Sequence, residues 1–467
     1  MKGYYLMPHP PIIVSEVGKG REKEINKTIE SCKKISEKIE ESGAKTIIII
    51  TPHGPIFRDG IAMFYTDKLN GNLSKFGAPQ VKLSYKIDKS LSESIIKNAV
   101  DKGITIVPLD EEMARKYKVS LELDHGAMVP LYFVGNEDKY ELVHITYGML
   151  SPIELLKFGT AIKKAVEDIK TEAVFIASGD LSHRLKEEGS YSYSPFGKKF
   201  DNSLINILTS GNLEELFNMN NHLIREAGEC GLRSLYILAG AINSTKVKGD
   251  LLSYEGPFGV GYAVIDFHTN SNDELFKKIH NIKEEEHKKR MKIDNPYTKL
   301  ARKNLDNYFN KGEIIDLKTI ENEELINDKK GVFVSLKING ELRGCIGTIE
   351  PTTSSIAEEI IKNSLSAALN DPRFLPLRKE ELLEVDISVD LLYPAEKTTF
   401  EELNPKVYGI IVTSGRKRGL LLPNLEGVDN IKQQISIALE KGNISSNENY
   451  SIERFMVKRF SEVDNNE

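Results

Sequence analysis

Along the first 268 residues, short apolar runs alternate with stretches whose apolar positions recur every three or four residues. Runs at 3–7, 45–51, 104–107, 141–146, 173–177 and 260–267 predict strands. Between the first two lies "REKEINKTIESCKKISEKIEESG", in which Ile25, Ile29, Cys32, Ile35 and Ile39 share one helical face before Gly43 ends the helix. Short apolar strands separated by amphipathic helices predict an α/β fold, a central sheet flanked by helices on both faces.

The pattern changes from Asp273 to Asp294, where Lys, Glu and Asp dominate. A solvated helix or flexible connector is expected, so residues 269–295 are read as a charged linker between domains at 1–268 and 296–460. The second domain begins with the helical pattern "YTKLARKNLDNYFNKG". A strand pair follows, "KGVFVSLKINGELRGCIGTIE", with a two-residue hairpin signal at Asn339-Gly340. Helix "SSIAEEIIKNSLSAALN", turn "DPRFLPL" and strand "VDISVDLLY" complete a smaller α+β domain, and the end "EVDNNE" is expected to fray.

Composition narrows the function classes. A chain of 467 residues exceeds one ordinary core, and a net charge of −6 gives neither a nucleic-acid footprint nor a basic membrane-binding surface. No apolar window reaches the roughly 18 residues of a bilayer span. The three cysteines, Cys32, Cys230 and Cys345, are scattered without a CxxC pair. They suit a reducing cytoplasm better than a disulfide scaffold or zinc ribbon, and cannot supply the usual four thiolates of an iron–sulfur cluster.

Candidate chemistry lies where apolar runs end. His9 follows Tyr4–Met7 between prolines, and His53 follows Ile47–Ile50. "AVFIASGDLSHRL" delivers Asp180 and His183 beyond a third run. In an open α/β sheet, ligands bind outside the carboxyl ends of strands, so these imidazoles can meet. Prolines beside His9 restrict the backbone and lower the entropy lost on binding an ion. Glu255, before the turn "GPFGVG", supplies a complementary carboxylate. Two imidazoles and one carboxylate leave open positions as in non-haem Fe(2+) oxygenases, while Zn(2+) suits a similar set. His144, His222, His268, His280 and His287 are read as structural.

"MPHPPIIV", "IIIITPHGP", "LDHGAMVPLYFV", "ASGDLSHRL" and "SYEGPFGVGYAVIDF", in this order, resemble the class III extradiol dioxygenase superfamily (LigB-like) and its Memo-type relatives over about residues 1–268. The resemblance implies His9, His53 and Glu255 as metal ligands, His183 as acid/base, and His125 as a further pocket histidine. Asp180 would orient His183, with capping of a helix as its alternative. One Memo branch has cysteine where Glu255 stands, and "EAGECGLRSLYILAGA" looks Memo-like. Residues 296–460 resemble the AMMECR family through "LRGCIG", "DPRFLPL", "VDISVDLLYP" and "GLLLP". There Arg343 could bind an anion, Gly344 permit close backbone approach and Cys345 act as a nucleophile. The alternative, which is preferred, makes Cys345 a small buried strand residue and Arg343 an ion-pair partner.

These features lead to the expectation of an extradiol-type dioxygenase, an Fe(2+)-dependent oxidoreductase acting on an unknown catechol-like or other small substrate. The alternatives are a Memo-like metal-binding scaffold or modification factor and a zinc-dependent hydrolase. The domain fusion resembles the AmmeMemoRadiSam system and so implies a radical SAM protein as partner. A homo-oligomer is left open, and neither nucleic acid nor membrane is expected as a partner.

Overall fold

The computed structural model describes residues 1–187, 189, 191–269, 274–338, 340–425 and 427–463. The chain divides into two compact units, Met1–Ile282 and Lys283–Glu467. Among the described residues, the first unit is built on a ten-stranded sheet. Its strands are β1 (Gly3–Met7), β2 (Thr46–Thr51), β3 (Ile61–Phe64), β4 (Lys68–Leu73), β5 (Ala78–Ile87), β6 (Ile106–Leu109), β7 (Glu141–Thr146), β8 (Ala173–Ser178), β9 (Val247–Glu255) and β10 (Tyr262–Thr269). The order is β4-β5-β7-β2-β8-β1-β10-β9, with β3 joining β7 to β6.

The centre of this sheet is parallel and covered on both faces. β7, β2, β8 and β1 run the same way, β10 runs antiparallel to β1, and β9 antiparallel to β10. Side chains of alternate residues leave opposite faces of a strand, and the core divides accordingly. Leu6, Ile48, Ile50 and Phe175 pack with residues of helices Pro152–Ile169 and Leu232–Ile242. Met7, Ile47, Ile49 and Ile176 pack with Cys32, Ile35 and Ile39 of helix Asn26–Glu41 and with Met128 and Leu131 of helix His125–Val134. Because β2, β8 and β1 are adjacent and parallel, the segments after Thr51, Ser178 and Met7 emerge on one edge.

The second unit is built, among the described residues, on a seven-stranded sheet. Its strands are β11 (Gly331–Ile338), β12 (Glu341–Gly347), β13 (Val385–Leu392), β14 (Glu396–Lys397), β15 (Tyr408–Ser414), β16 (Lys417–Leu421) and β17 (Ser451–Ser461). The order is β12-β11-β13-β17-β15-β16, with β14 on β17. Helices Pro296–Lys311 and Ile356–Leu369 cover one face. β11 and β12 pair with Ile338 opposite Glu341, and Gly340 adopts φ 79° as the expected hairpin requires, while Asn339 lies outside the described residues.

Two expectations change here. The charged segment forms a helix, one of its two expected forms, at Leu275–Met291, but not a wholly solvated one, since Leu275 and Ile279 are buried in the first unit's core. The expected frayed end includes Glu462, yet this carboxylate is buried against the Arg302 guanidinium, with Nε–Oε1 at 3.0 Å and Nη2–Oε2 at 2.5 Å. A fully buried arginine requires such a partner. The remaining residues of that stretch, 464–467, lie outside the described residues.

Candidate metal centre

His9 is buried two residues beyond β1, at 2% exposure. Its backbone N–H donates to Asp180 Oδ1 at 2.9 Å, and its Nδ1 lies 2.8 Å from Ser178 Oγ. The Ser178 hydroxyl has one proton, which it donates to the Gly126 carbonyl at 2.5 Å. It therefore accepts from His9 Nδ1–H, and that tautomer leaves a lone pair on His9 Nε2. The His53 Nε2 atom faces it at 2.9 Å. Two nitrogens each about 2.0–2.1 Å from one ion are about 2.9 Å apart when their bonds meet at a right angle.

Further donors surround this nitrogen. Cys230 Sγ lies 3.6 Å and Asp180 Oδ2 3.7 Å from His9 Nε2. His125 stacks on His53 with ring centroids 4.0 Å apart. Among the described residues, two groups have ligand atoms that all lie within 4.8 Å of one another: His9, His53 and His125, and His9, Asp180 and Cys230. Both contain His9. Glycine brings the second group together, because a Cβ on Gly179 would lie 2.3 Å from Gly231 Cα and would part the segments that carry Asp180 and Cys230.

Glu255 is placed elsewhere. Its Oε2 accepts from the backbone N–H of Thr28 at 2.7 Å and from the Thr28 hydroxyl at 2.9 Å, in the first turn of helix Asn26–Glu41. It belongs to neither ligand group. A helix N-terminus offers unpaired N–H donors and a favourable field for a carboxylate, which accounts for this position, outside the groups that could hold an ion and away from the ligand role expected of it. Asp180 caps no helix among the described residues, where the next helix begins at Pro195, and its carboxylate accepts from the His9 N–H.

His183 and His125 do reach the same edge. The His183 loop is fixed by its own N–H to Ala227 O at 3.0 Å and by Ser182 N–H to Asp201 Oδ1 at 2.8 Å. His183 Nε2 is buried without a hydrogen-bond partner among the described residues, and its ring lies 4.9 Å from that of Tyr191. His125 begins a helix capped by Asp124, whose side chain accepts from the N–H of Ala127. The Asp124 Oδ1 atom also accepts from Thr51 Oγ1 at 2.6 Å, and Oδ2 lies 2.9 Å from His144 Nε2. His144 keeps its structural reading as the partner of Asp124.

Burial sets the charge state of the cluster. It lowers His9 well below the ordinary imidazole value, with His53 adding to the effect, and lowers His53 and His183. Burial, with His53 and His9, takes His125 down to about 3. It raises Asp180 to about 6 and pushes the Cys230 thiol well up. Asp124 behaves differently, because its side-chain bonds to His144 and Thr51 act against burial and hold it below the usual carboxylate range. Neutral imidazoles with converging lone pairs, beside a carboxyl and a thiol, fit a divalent cation.

The sequence profile described as the catalytic LigB subunit of aromatic ring-opening dioxygenase matches residues 3–265, more than half of the chain. The chain belongs to the LigB family. Residues 298–463 match AMMECR1, so an extradiol dioxygenase-like unit is fused to an AMMECR1 unit. Protein CA_C1420 of Clostridium acetobutylicum is 50% identical over 465 residues, covering 99% of each chain. A protein of Thermotoga maritima is 43% identical over 170 residues, covering 36% of this chain and 98% of its own. The crystal structure of uncharacterized protein PH0010 from Pyrococcus horikoshii matches 35% of this chain and 89% of its own, at 27% identity and a TM-score of 0.33.

The second unit answers for three more residues. Arg343 forms a fork with Glu381, Nε–Oε1 at 2.7 Å and Nη2–Oε2 at 3.1 Å, and also donates to the carbonyls of Leu375 and Pro376. That commitment removes it as an anion receptor. Gly344 permits close approach, but to a helix: a Cβ there would lie 2.1 Å from Ala367 O. Cys345 is half-buried.

Proposed function

We propose that the first unit is an Fe(2+)-dependent oxidoreductase of the extradiol type, acting on a small substrate with adjacent oxygen substituents. Its principal support is the His9 Nε2 lone pair, fixed by the Ser178 bond to Nδ1 and set 2.9 Å from His53 Nε2. His9 and His53 would hold the ion, with Asp180 or Cys230 completing the set. A bound ferrous ion would supply Lewis-acid and redox chemistry toward substrate oxygens and O2.

The chain's own groups then divide the work. His183, kept neutral by burial, takes the substrate hydroxyl proton at Nε2. Tyr191, against the His183 ring, shields that proton from water. Asp180 positions His9 through its backbone N–H, and His125 lies beside His53 as a donor to substrate oxygen. The three free thiols suit a cytoplasmic protein.

Cys230 favours a second reading. A thiol 3.6 Å from His9 Nε2 suits a Memo-like metal-binding scaffold working with a radical SAM protein, in which the ion is held without oxygen consumption. A Zn(2+) hydrolase would instead turn over without oxygen. Metal analysis of anaerobically purified protein, followed by oxygen-uptake measurements on a catechol panel, separates the three. Stoichiometric iron with uptake supports the oxygenase; bound metal without uptake on any catechol overturns it.

A further inference from the structure

The face of the second sheet turned away from its helices carries a polar row. Cys345 stands opposite Ser335, and Ser335 opposite Ser388. Their neighbours in sequence Val334, Leu336, Ile387 and Val389 point into the helix-covered core. The Ser335 hydroxyl donates to Cys345 Sγ at 3.2 Å. Ser388 is 9% exposed, and its hydroxyl makes no hydrogen bond among the described residues.

Two guanidinium groups flank this row. Arg459 is forked on Asp390, with Nε–Oδ1 at 2.7 Å and Nη2–Oδ2 at 2.6 Å. Arg373 is forked on Asp371 at 2.9 and 2.7 Å and donates to Cys345 O at 3.0 Å, while Asp371 Oδ2 accepts the Cys345 N–H at 2.9 Å. Each fork engages Nε and Nη2 and leaves Nη1 without a bond among the described residues. A rigid guanidinium with one free edge is suited to an anionic group.

We propose that this row is a second, independent site that takes a small carboxylate- or phosphate-bearing electrophile, with Cys345 as its nucleophile. Arg373 and Arg459 engage the anion and Ser388 a neighbouring polar atom. The Cys345 sulfur then bonds to the electrophilic carbon, the bond from that carbon to its leaving group breaks with the electron pair going to the leaving group, and the thiol proton passes to water.

Alkylation of the full chain with iodoacetate and with iodoacetamide, read at the Cys345 peptide by mass spectrometry, tests this. The anionic reagent is expected to react about tenfold faster than the neutral one. Inorganic phosphate should slow it, and Arg373→Gln should bring the two rates together. Because that variant disturbs Asp371, the phosphate competition on unaltered protein stands as a separate arm. Equal rates, faster labelling by iodoacetamide, indifference to phosphate or an unreactive Cys345 would each overturn the proposal.

Discussion

The polar clusters of the two units solve burial in opposite ways. Around His9, imidazoles are held neutral and two Nε2 atoms face each other, so the cluster presents lone pairs that a cation would satisfy. Around Cys345, cationic side chains are already tied to carboxylates: Arg343 to Glu381, Arg373 to Asp371 and Arg459 to Asp390. A buried charge costs several kcal/mol unless paired. The first cluster avoids that cost by staying neutral and the second offsets it by pairing. The first is therefore suited to receiving an ion, and the second to holding guanidinium groups at fixed positions.

The largest expected effect sharpens the chemistry of the first cluster. His183→Ala should leave metal content intact while lowering any oxygen uptake by about 100-fold or more, as loss of a general base does. An oxygen electrode and metal analysis on the same sample check it. Next, Ser178→Ala should weaken metal affinity about 10- to 100-fold, because His9 loses the bond that fixes its tautomer. Competition with a chromophoric chelator measures this, and unchanged affinity would show that Ser178 does not fix the ligand.

The smaller effects concern structure. Glu255→Ala should cost about 1 kcal/mol, the value of a helix cap, and appear as a lowered thermal midpoint. In the second unit, the Arg373 bond holds Asp371 down to about 2 against an ordinary 3.8, with burial opposing. A carboxylate with a depressed folded value contributes stability that is whole above about pH 4 and is lost as pH falls through about 2. Unfolding of the unaltered chain and of Asp371→Asn should thus differ at neutral pH and converge on acidification. A difference that persists at pH 2 contradicts this.

Much of the fold is legible along the chain because burial on both sheet faces leaves near-continuous apolar runs. Ile47–Ile50 and Ala173–Ala177 are such runs, and they form β2 and β8. β4 and β5 are missed for the complementary reason. Lys68–Leu73 alternates exposed and buried positions and presents a polar composition despite its period of two. β3 and β9 are also absent from that reading; β9 exposes several residues and lacks a continuous apolar run.

The site is legible where a residue directly follows a strand. His9, His53, Asp180 and His183 meet on one edge because β1, β2 and β8 are parallel neighbours. Glu255 also ends a strand on that edge, because β9 runs antiparallel to β10 and β10 antiparallel to β1, but β9 is the outermost strand and the carboxylate meets helix Asn26–Glu41 instead. Cys230 precedes helix Leu232–Ile242, and its proximity to His9 depends on the close passage of Gly179 and Gly231. The motif "GECG" beside "SGD" is the signal that could have located it. Ser178 leaves no such trace, since a serine ending an apolar strand is common and its role lies in a bond to a residue 169 positions away.

Metal content of anaerobically prepared His9→Ala and Glu255→Ala, compared with the unaltered chain after identical Fe(2+) loading, tests the assignment of the centre most directly. The account predicts that iron is lost from His9→Ala and kept at the unaltered stoichiometry in Glu255→Ala. Iron retained without His9, or lost with Glu255 in a variant that remains folded, would contradict it.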